Sequence, residues 1–366
     1  MKIKLKREDI LEPLQQLGGV VERRQTLPIL ANILVKTGKG IMDMTATDLE
    51  VELKTQAIAD CETDVEFTIP ARKILDICKS LPEDSKINIE LDKEKVRVTS
   101  GKSRFTLGVL PAQDYPVIEA TPSTNIIEIK ERELKTLIDR TSFAMAQQDV
   151  RYYLNGMLLE INNNTIRTVA TDGHRLAMSE INKTSSDQQE IQIILPRKAV
   201  LELSRLLNDF DNDIKIELSS NYLKVLLPNA IFTTKLIDGR FPDYMRVIPS
   251  GSDKEMMADK NLLKQSLTRA SILSNEKYRG IRFDVINGVL QLQAHNPEQE
   301  EAEEEVEVTY QGEDIKIGFN VGYLLDAISA IPDSTIIIEL KDSNSSALIY
   351  GKDNKDSKYV VMPMRI

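Results

Sequence analysis

The stretch that most resembles a catalytic site is ATDGHRLA, residues 170–177, in which a carboxylate and an imidazole stand close together. Asp172 and His174 could act as a general base and the carboxylate that orients it. Such a dyad needs a nucleophile or a metal ion from elsewhere, and the sequence does not show one. Asp-Gly also favours a tight turn between strands. We therefore predict a hairpin turn, with His174 and Arg175 free to line a binding surface.

A second candidate is the acidic run EQEEAEEE, residues 298–305. Its carboxylates could collect a divalent cation, but a metal site needs oxygens that converge in a defined geometry. Contiguous acidic residues more often form a solvated edge or an electrostatic partner for a basic patch. The two histidines, His174 and His295, have no second His or Cys at ligand spacing, and the two cysteines are not in a CxxC motif. We predict no metal site and free thiols at Cys61 and Cys78.

Most enzyme classes lack their minimal motif in this chain. The sequence has no GxxxxGK[ST] loop, no GxGxxG after a strand and no GxSxG elbow, so we predict no cofactor and no catalysis. A chain of 366 residues with 41% hydrophobic and 28% charged residues suggests two or three globular domains. No apolar stretch is long enough for a signal peptide or a membrane span, which favours a cytoplasmic protein.

The elements that would position these residues recur along the chain. IPARKILDI at 69–77 returns as LPRKAVLEL at 195–203, 126 residues later, and more faintly as FNVGYLLDA at 319–327, after a further 124. TATDLE, VATDGH and QAHNPE keep the same spacing, as do three helix-like segments that open each copy. Three markers with one period indicate internal triplication. Linker-like residues place the domains at 1–120, 121–250 and 251–366.

Each copy has the pattern helix, strands, helix, strands. Helices are predicted at 6–23, 71–81, 130–145, 196–207, 259–274 and 320–332. Two helices cannot cover both faces of an antiparallel sheet, so we expect them on one face only. The fold class is therefore α+β, in three tandem copies.

The predicted helices are basic in an acidic protein. Their formal charges sum to about +5, which leaves about -15 elsewhere in a chain of net charge -10. Arg72 and Lys79 are seven residues apart, as are Lys198 and Arg205, which places each pair on one helical face. Ordinary solvated helices are one interpretation. The other is a surface that attracts a polyanion while the rest of the protein repels it.

The C-terminal sequence YVVMPMRI, residues 359–366, is apolar and rich in Met, although chain ends are usually polar. One interpretation is a last core strand. The other is an adaptable groove that binds peptides.

Seven motifs, spread in order over the full length, resemble one family. They are TLPIL (26–30), QDVRYYLNGML (148–158), TVATDGHRLA (168–177), DGRFPDYMRVIP (238–249), ILSNEKYRGIR (272–282), NPEQEEAEE (296–304) and YVVMPMR (359–365). Together they are similar to the β subunit of bacterial DNA polymerase III, the sliding clamp. The resemblance implies a ring of two head-to-tail chains, with helices lining the hole and sheets outside. It implies a processivity factor that tethers the polymerase to DNA and has no catalytic activity.

Helix packing supports a ring of two chains. Helices packed about 8 to 10 Å apart give six helices a hole of roughly 10 Å and twelve helices a hole of nearly 30 Å. Duplex DNA needs roughly 20 Å or more. A dimer can therefore encircle DNA, whereas a monomer cannot.

The resemblance also implies three sets of site residues. Expected at DNA, with Arg197 and Lys198 added from the charge count, are Arg24, Arg72, Gln148, Tyr152, Tyr153, Arg197 and Lys198. Expected in a partner-peptide groove between the second and third copies are Leu154, Thr171, Gly173, His174, Arg175, Leu176, Pro242, Arg246, Val247, Ser346, Val360, Val361, Met362, Pro363, Met364 and Arg365. Expected at the dimer interface are Lys73, Ile77, Phe105 and Leu107 facing Ile272, Leu273, Glu298 and Glu300. Asn344 departs from the family pattern, which usually has an apolar residue there.

The implied partners are a second copy of the chain and double-stranded DNA without sequence preference. Short peptide motifs would recruit the DNA polymerase III catalytic subunit, the clamp-loader complex, other DNA polymerases and repair proteins. No membrane partner is expected. The alternative function is a non-ring repeat scaffold that binds proteins only, and an enzyme ranks third.

Overall fold

The structure is a computed structural model that describes residues 2–21, 27–61, 63–92, 94–118, 122–162, 164–183 and 190–365. The chain forms two compact units, Met1–Arg132 with Leu201–Leu236, and Glu133–Val200 with Ile237–Ile366. The α-helices within the described ranges are α1 (Arg7–Val20), α2 (Ala71–Ser80), α3 (Glu131–Asp139), α4 (Arg197–Leu206), α5 (Lys260–Ser271) and α6 (Val321–Ala330).

The strands follow the three copies along the chain. The first copy holds β1 (Lys2–Lys6), β2 (Asn32–Gly38), β3 (Ile41–Thr47), β4 (Val51–Ile58), β5 (Asp60–Cys61), β6 (Val65–Pro70), β7 (Lys86–Asp92), β8 (Lys95–Ser100) and β9 (Ser103–Gly108). The second holds β10 (Asn125–Lys130), β11 (Gly156–Ile161), β12 (Thr165–Thr171), β13 (Arg175–Asn182), β14 (Ile191–Pro196), β15 (Asp213–Leu218), β16 (Tyr222–Leu226) and β17 (Ala230–Lys235). The third holds β18 (Lys254–Asp259), β19 (Gly280–Ile286), β20 (Val289–His295), β21 (Glu301–Glu307), β22 (Thr309–Gln311), β23 (Ile315–Asn320), β24 (Thr335–Leu340), β25 (Ala347–Gly351) and β26 (Ser357–Val361).

The predicted α+β triplication is confirmed, with two corrections. Each copy opens with a short strand, β1, β10 or β18, before its first helix, which the sequence analysis missed. The helix predicted over 130–145 ends at Asp139, and a turn of 3-10 helix at Ser142–Ala144 follows it. The Thr141 hydroxyl donates to the Leu137 carbonyl at 2.7 Å and lies 3.0 Å from the Thr168 hydroxyl, so the chain leaves the helix to meet a buried strand.

Two of the four sheets are built by joining successive copies edge to edge. In the first unit, β4 pairs with β17 and completes a sheet of order β10-β15-β16-β17-β4-β3-β2-β6. In the second unit, β13 pairs with β26 and completes a sheet of order β14-β11-β12-β13-β26-β25-β24-β18-β22. The two remaining sheets have the orders β5-β1-β7-β8-β9 and β21-β20-β19-β23.

The two joins have the same register. At the first join Leu53 lies opposite Phe232, and at the second Ala177 lies opposite Tyr359. Both aromatic side chains are fully buried. The copies therefore repeat the way in which they are joined as well as their internal fold.

The helices show the amphipathic pattern that the sequence predicted. In α2, Ile74, Ile77 and Cys78 are buried, while Arg72 and Lys79 are exposed. Within the first unit α1 packs on α2, and within the second α5 packs on α6. Burial of these apolar faces drives helix docking, since helices of this length are marginal alone.

Candidate functional site

The ATDGHRLA segment forms the predicted turn between β12 and β13. The Asp172 carboxylate accepts hydrogen bonds from the backbone N–H groups of His174 (2.9 Å) and Arg175 (3.0 Å). Gly173 has φ +87°, a conformation that glycine adopts without strain, and its N–H donates to the Thr171 hydroxyl. Asp172 therefore holds the backbone of the turn, and its hydrogen bonds are not to the His174 imidazole.

The first copy repeats this turn in atomic detail. The Thr47 hydroxyl donates to the Val51 carbonyl at 2.8 Å, as Thr171 donates to Arg175 at 2.6 Å. The Asp48 carboxylate accepts from two backbone N–H groups in the same pattern as Asp172. A turn that recurs in a copy with no histidine is a structural feature of the repeat.

This turn brings the second and third copies together at β13 and β26. Arg175 lies opposite Val361 and Leu176 opposite Val360 in the ladder. The Met362 N–H donates to the His174 carbonyl at 2.9 Å, which ties the C-terminal tail to the turn. The two segments that supply most of the predicted groove residues, the turn after β12 and the C-terminal tail, are therefore adjacent.

An apolar cluster forms the floor beside this join. Its buried members are Leu158, Val169, Leu176, Met178, Ile194, Phe241, Tyr244, Ile337, Leu348, Tyr350 and Val360, with Tyr153, Ile237, Ile248 and Met257 packed on it. At the surface, Pro242, Arg246 and Val247 are exposed, and Met362 is 40% exposed. Leu154 is buried, and Thr171, Ser346, Pro363 and Met364 are half-buried. The predicted groove residues thus include a buried apolar floor and a mixed, accessible rim.

The Arg175 guanidinium makes its contacts on the face of the sheet opposite the apolar cluster. Side chains alternate along β13, so Arg175 points to the sheet face opposite Leu176. Its guanidinium donates to Asp172 (3.0 Å), Asp326 (2.5 Å) and the Phe143 carbonyl (2.7 Å). It also lies 4.5 Å from the centre of the Tyr323 ring. Arg175 therefore holds the second and third copies together.

The C-terminal strand fits the interpretation of the tail as a last core strand. Tyr359, Val360 and Val361 are buried in β26, as expected for a core strand. Beyond Val361 the chain emerges, and the Met364 N–H donates to the Gly318 carbonyl at 2.7 Å. Asn344 is exposed in a turn in which its N–H donates to Asp342.

Only some of the residues expected at DNA are exposed to solvent. Arg24 lies outside the described residues. Arg72 is exposed on α2, and Gln148 is exposed with φ +58°. Tyr152 is 59% exposed, whereas Tyr153 packs on the apolar cluster.

The cations on α4 are less free than their spacing suggested. Arg197 is half-buried and donates to the Met145 carbonyl at 3.1 Å, and Lys198 is also half-buried. Arg205 is exposed but forms an ion pair with Glu202 at 3.1 Å. The basic face is therefore clearer on α2 than on α4.

An ion pair beside the turn was not predicted from the sequence. Arg151 binds both carboxylate oxygens of Asp149, at 3.1 and 2.9 Å, and its guanidinium lies against Gly173. The hydrogen bonds from Arg151 lower the pKa of Asp149 to about 2. The adjoining Val150 side chain is almost fully exposed. The spacing of two between opposite charges in QDVRYY was the available signal.

Residues expected at the dimer interface lie on or near two sheet edges. Ile272 is 74% exposed and Leu273 half-buried, just after α5. Ile77 and Leu107 are already buried within the chain, and Phe105 is half-buried. The remaining three, Lys73, Glu298 and Glu300, are exposed. Most of the acidic run forms the edge strand β21.

Within the described ranges, no group of three or more His, Cys, Asp or Glu side chains converges as metal ligands. None of the helices in those ranges combines the length and apolarity needed to span a membrane.

Three α+β copies, joined twice in one register and with a buried apolar cluster beside the second join, have the architecture of a DNA clamp. Models of the DNA polymerase III beta subunit match the chain as N-terminal domain over residues 1–119, central domain over 128–243 and C-terminal domain over 245–365. The chain belongs to the DNA polymerase III beta subunit family.

Curated relatives named beta sliding clamp support this assignment over the whole length. The protein from Pseudomonas aeruginosa is 52% identical, and that from Escherichia coli 46%, each with 100% of both chains covered. The crystal structure of the Pseudomonas aeruginosa subunit matches with a TM-score of 0.96 over 100% of both chains. A structure of that clamp bound to griselimycin also matches at 0.96, with 52% identity and 100% of both chains covered.

Proposed function

We propose that two copies of the chain close head to tail into a ring around duplex DNA and tether the replicative polymerase to it. The chain acts as a non-catalytic processivity factor. The observation that carries this proposal is the join between copies, which the chain makes twice in one register. A third join of the same kind needs a partner chain.

The third join follows from the order of the strands. At each join, the strand after the Thr-Asp turn of one copy pairs with the last strand of the next copy: β4 with β17, then β13 with β26. The equivalent strand in the third copy is β21, which lies at the edge of its sheet. The last strand of the first copy is β9, also at an edge. Since open edges invite pairing, the same rule joins β21 to β9 of a second chain.

The ladders predict which residues meet at this third join. Ala302 lies opposite Ala294 as Leu53 lies opposite Ala46, so Ala302 takes the place of Leu53. Phe105 lies opposite Val98 as Phe232 lies opposite Val225, so Phe105 takes the place of Phe232. Phe105 is therefore expected opposite the partner's Ala302.

The same register places charges of opposite sign together. One residue back along β9 and one forward along β21, Arg104 faces the partner's Glu303. Both side chains are exposed in the single chain. The same contact would bury the exposed side chain of Ile272. Its exposure in the single chain supports the predicted interface, whose other members include Lys73, Ile77, Leu107, Leu273, Glu298 and Glu300.

A disulfide across the join tests this register. We expect Arg104→Cys with Glu303→Cys to form a covalent dimer on mild oxidation, because directly opposed strand residues have Cα atoms within disulfide reach. Shifting one partner by two residues, as in Thr106→Cys with Glu303→Cys, should prevent it. The native Cys78 should not interfere, since it is buried and burial raises its pKa to about 12. Cys61 is half-buried, so it is replaced by Ser in both pairs. Efficient cross-linking of the shifted pair, or a monomeric sedimentation mass, would contradict the proposal.

For DNA, we propose weak contacts with phosphate from Arg24, Arg72, Gln148, Tyr152, Tyr153, Arg197 and Lys198. The exposure of Arg72, Gln148 and Tyr152 supports the role. Phosphate contacts carry no sequence information, and their weakness allows the ring to slide. Binding should fall steeply with salt.

For protein partners, we propose that the apolar floor and its rim bind a short peptide with Leu or Phe anchors. The buried cluster around Leu176 and Val360 supports this role, since buried anchors dominate such interfaces. The partners are the polymerase catalytic subunit, the clamp loader, and other polymerases and repair proteins. We also propose domain boundaries near residues 120 and 250 and a cytoplasmic location.

A further inference from the structure

A basic pocket lies beyond the C-terminal end of the groove, on the third copy. Its volume is about 500 Å³. The side chains that line it and matter here are Arg282, Gln293, His295, Lys316, Asn344 and Arg365. Met364, which also lines the pocket, and Arg365 belong to the predicted groove; Arg282, Gln293, His295 and Lys316 do not.

The charge of this pocket is opposite to that of the whole chain. Arg282, Lys316 and Arg365 contribute three positive charges. The buried carboxylate of Asp284 accepts from Arg282 at 3.0 Å and lies 3.5 Å from Lys316. The Arg365 side chain is exposed. Three cations against one carboxylate leave a local formal charge of +2 on a protein of net charge -10.

Nearby acidic groups do not neutralise the pocket. Glu303 and Glu301 lie opposite Gln293 and His295 on the neighbouring strand β21, and neither lines the pocket. The Gln293 amide donates to Glu303 at 3.3 Å. Asp342 directs its carboxylate to Asn344 N–H and the Ser345 hydroxyl within its own turn. The cations therefore face solvent across a polar floor, which is a site for an anion.

The tail connects this pocket to the apolar floor. Val361 ends the buried strand, and Met364 is fixed to Gly318 beside Arg282. An extended chain advances about 3.3 Å per residue, so the two sites are roughly 10 Å apart along the tail. A peptide that places its apolar anchors on the floor would reach the pocket about three residues further on.

We propose that this pocket binds an acidic side chain of a partner peptide, about three residues from its apolar anchors. The proposal rests on the peptide groove proposed above and adds a determinant of partner choice. Charge complementarity and continuity with the groove identify the occupant. Exposed charges contribute modestly to affinity, so the pocket would rank partners that all carry the anchors.

The test uses labelled synthetic peptides and the full-length dimer. Each peptide carries Leu and Phe anchors, followed or preceded three residues away by Asp-Asp or by Asn-Asn. By fluorescence anisotropy at low salt, we expect one acidic peptide to bind about three- to tenfold more tightly than its amide counterpart. High salt should remove the difference.

The variant Lys316→Glu should abolish the preference for Asp-Asp and leave the affinity of the Asn-Asn peptide unchanged. Lys352→Glu makes the same charge change at an exposed site outside the pocket and should keep the preference. Equal binding of acidic and amide peptides, or a preference that survives Lys316→Glu, would overturn the pocket and leave the groove standing. If no peptide binds, the groove fails and this proposal fails with it.

Discussion

The two joins between copies share a backbone register but have opposite chemistry. Glu52 at the first join occupies the place of Leu176 at the second, and Thr233 the place of Val360. Glu52 is only 1% exposed; it forms an ion pair with Lys54 at 2.8 Å and accepts the Ile118 N–H at 3.0 Å.

The first join is therefore a satisfied polar surface, and the second an apolar floor. An apolar anchor that bound at the first join would separate the Glu52 carboxylate from Lys54 and the Ile118 N–H. Leaving a buried carboxylate without partners costs free energy. At the second join the corresponding side chains are Leu176 and Val360, so an apolar anchor there meets no buried charge. The proposed peptide site at the second join therefore depends on a few side chains that differ between two otherwise equivalent joins.

The largest effect on peptide binding is expected when side chains of the second join are replaced by those at the equivalent positions of the first. Leu176→Glu should abolish binding of an anchor peptide, with a loss of about 100-fold or more, because it buries a carboxylate in the floor. The free energy of unfolding should fall by about 3 kcal/mol in denaturant melts. Adding Met178→Lys, which supplies the equivalent of Lys54, should recover part of the stability and none of the binding.

The control is Leu262→Glu, the same change at an exposed leucine of α5. It should cost less than about 0.5 kcal/mol and leave peptide binding intact. If Leu176→Glu, with or without Met178→Lys, bound the peptide with wild-type affinity, the apolar side chains of the second join would not account for the difference between the two joins.

A smaller effect is expected at Arg175, which stabilises the second join from the opposite face. Arg175→Gln should lower the free energy of unfolding by about 2 kcal/mol, since Asp326 and the Tyr323 ring lose a largely buried cation. Arg175→Lys should recover little, because a lysine cannot supply the forked donors.

Arg246→Gln removes an exposed arginine from the same region, paired only with Asp243, and serves as the control. Its unfolding free energy should be close to that of the wild type. If Arg175→Gln also left the free energy of unfolding unchanged, the guanidinium would not stabilise the join between the second and third copies.

The smallest effect concerns the ion pair beside the turn. Because Arg151 lowers the pKa of Asp149 from 3.8 to about 2, the pair stabilises the fold fully above pH 4 and loses this contribution as pH falls toward 2. Carboxyl NMR of Asp149 should show a midpoint near 2. Arg151→Gln should raise it toward 3.8, whereas Lys352→Gln should not. If Arg151→Gln left the titration midpoint of Asp149 unchanged, the ion pair would not be the cause of its low pKa.

Local patterns predicted the fold well, and contacts distant in sequence explain the errors. The repeated IPARKILDI segment located α2 and α4 within a residue or two. The opening strand KIKLK was missed because its pairing with β7, more than 80 residues away, defines it. Helix spacing cannot show that Arg197 is engaged by a carbonyl from a neighbouring segment.

The same limit applies to the site. The turn at Asp172 was predictable because its bonds are local. The orientation of Arg175 was not, since its partner Asp326 is 151 residues away. The buried Glu52 was missed because a single charged letter gives no indication that Lys54 and a loop N–H will satisfy it.

The central claim is that the protein holds DNA by encircling it. The most direct measurement loads the Arg104→Cys, Glu303→Cys dimer onto nicked circular plasmid, oxidises it and passes it through gel filtration at high salt. The account predicts that the closed ring stays with circular DNA and is lost when a restriction enzyme linearises the plasmid. Loss from circular DNA, or retention on linear DNA with free ends, would contradict it.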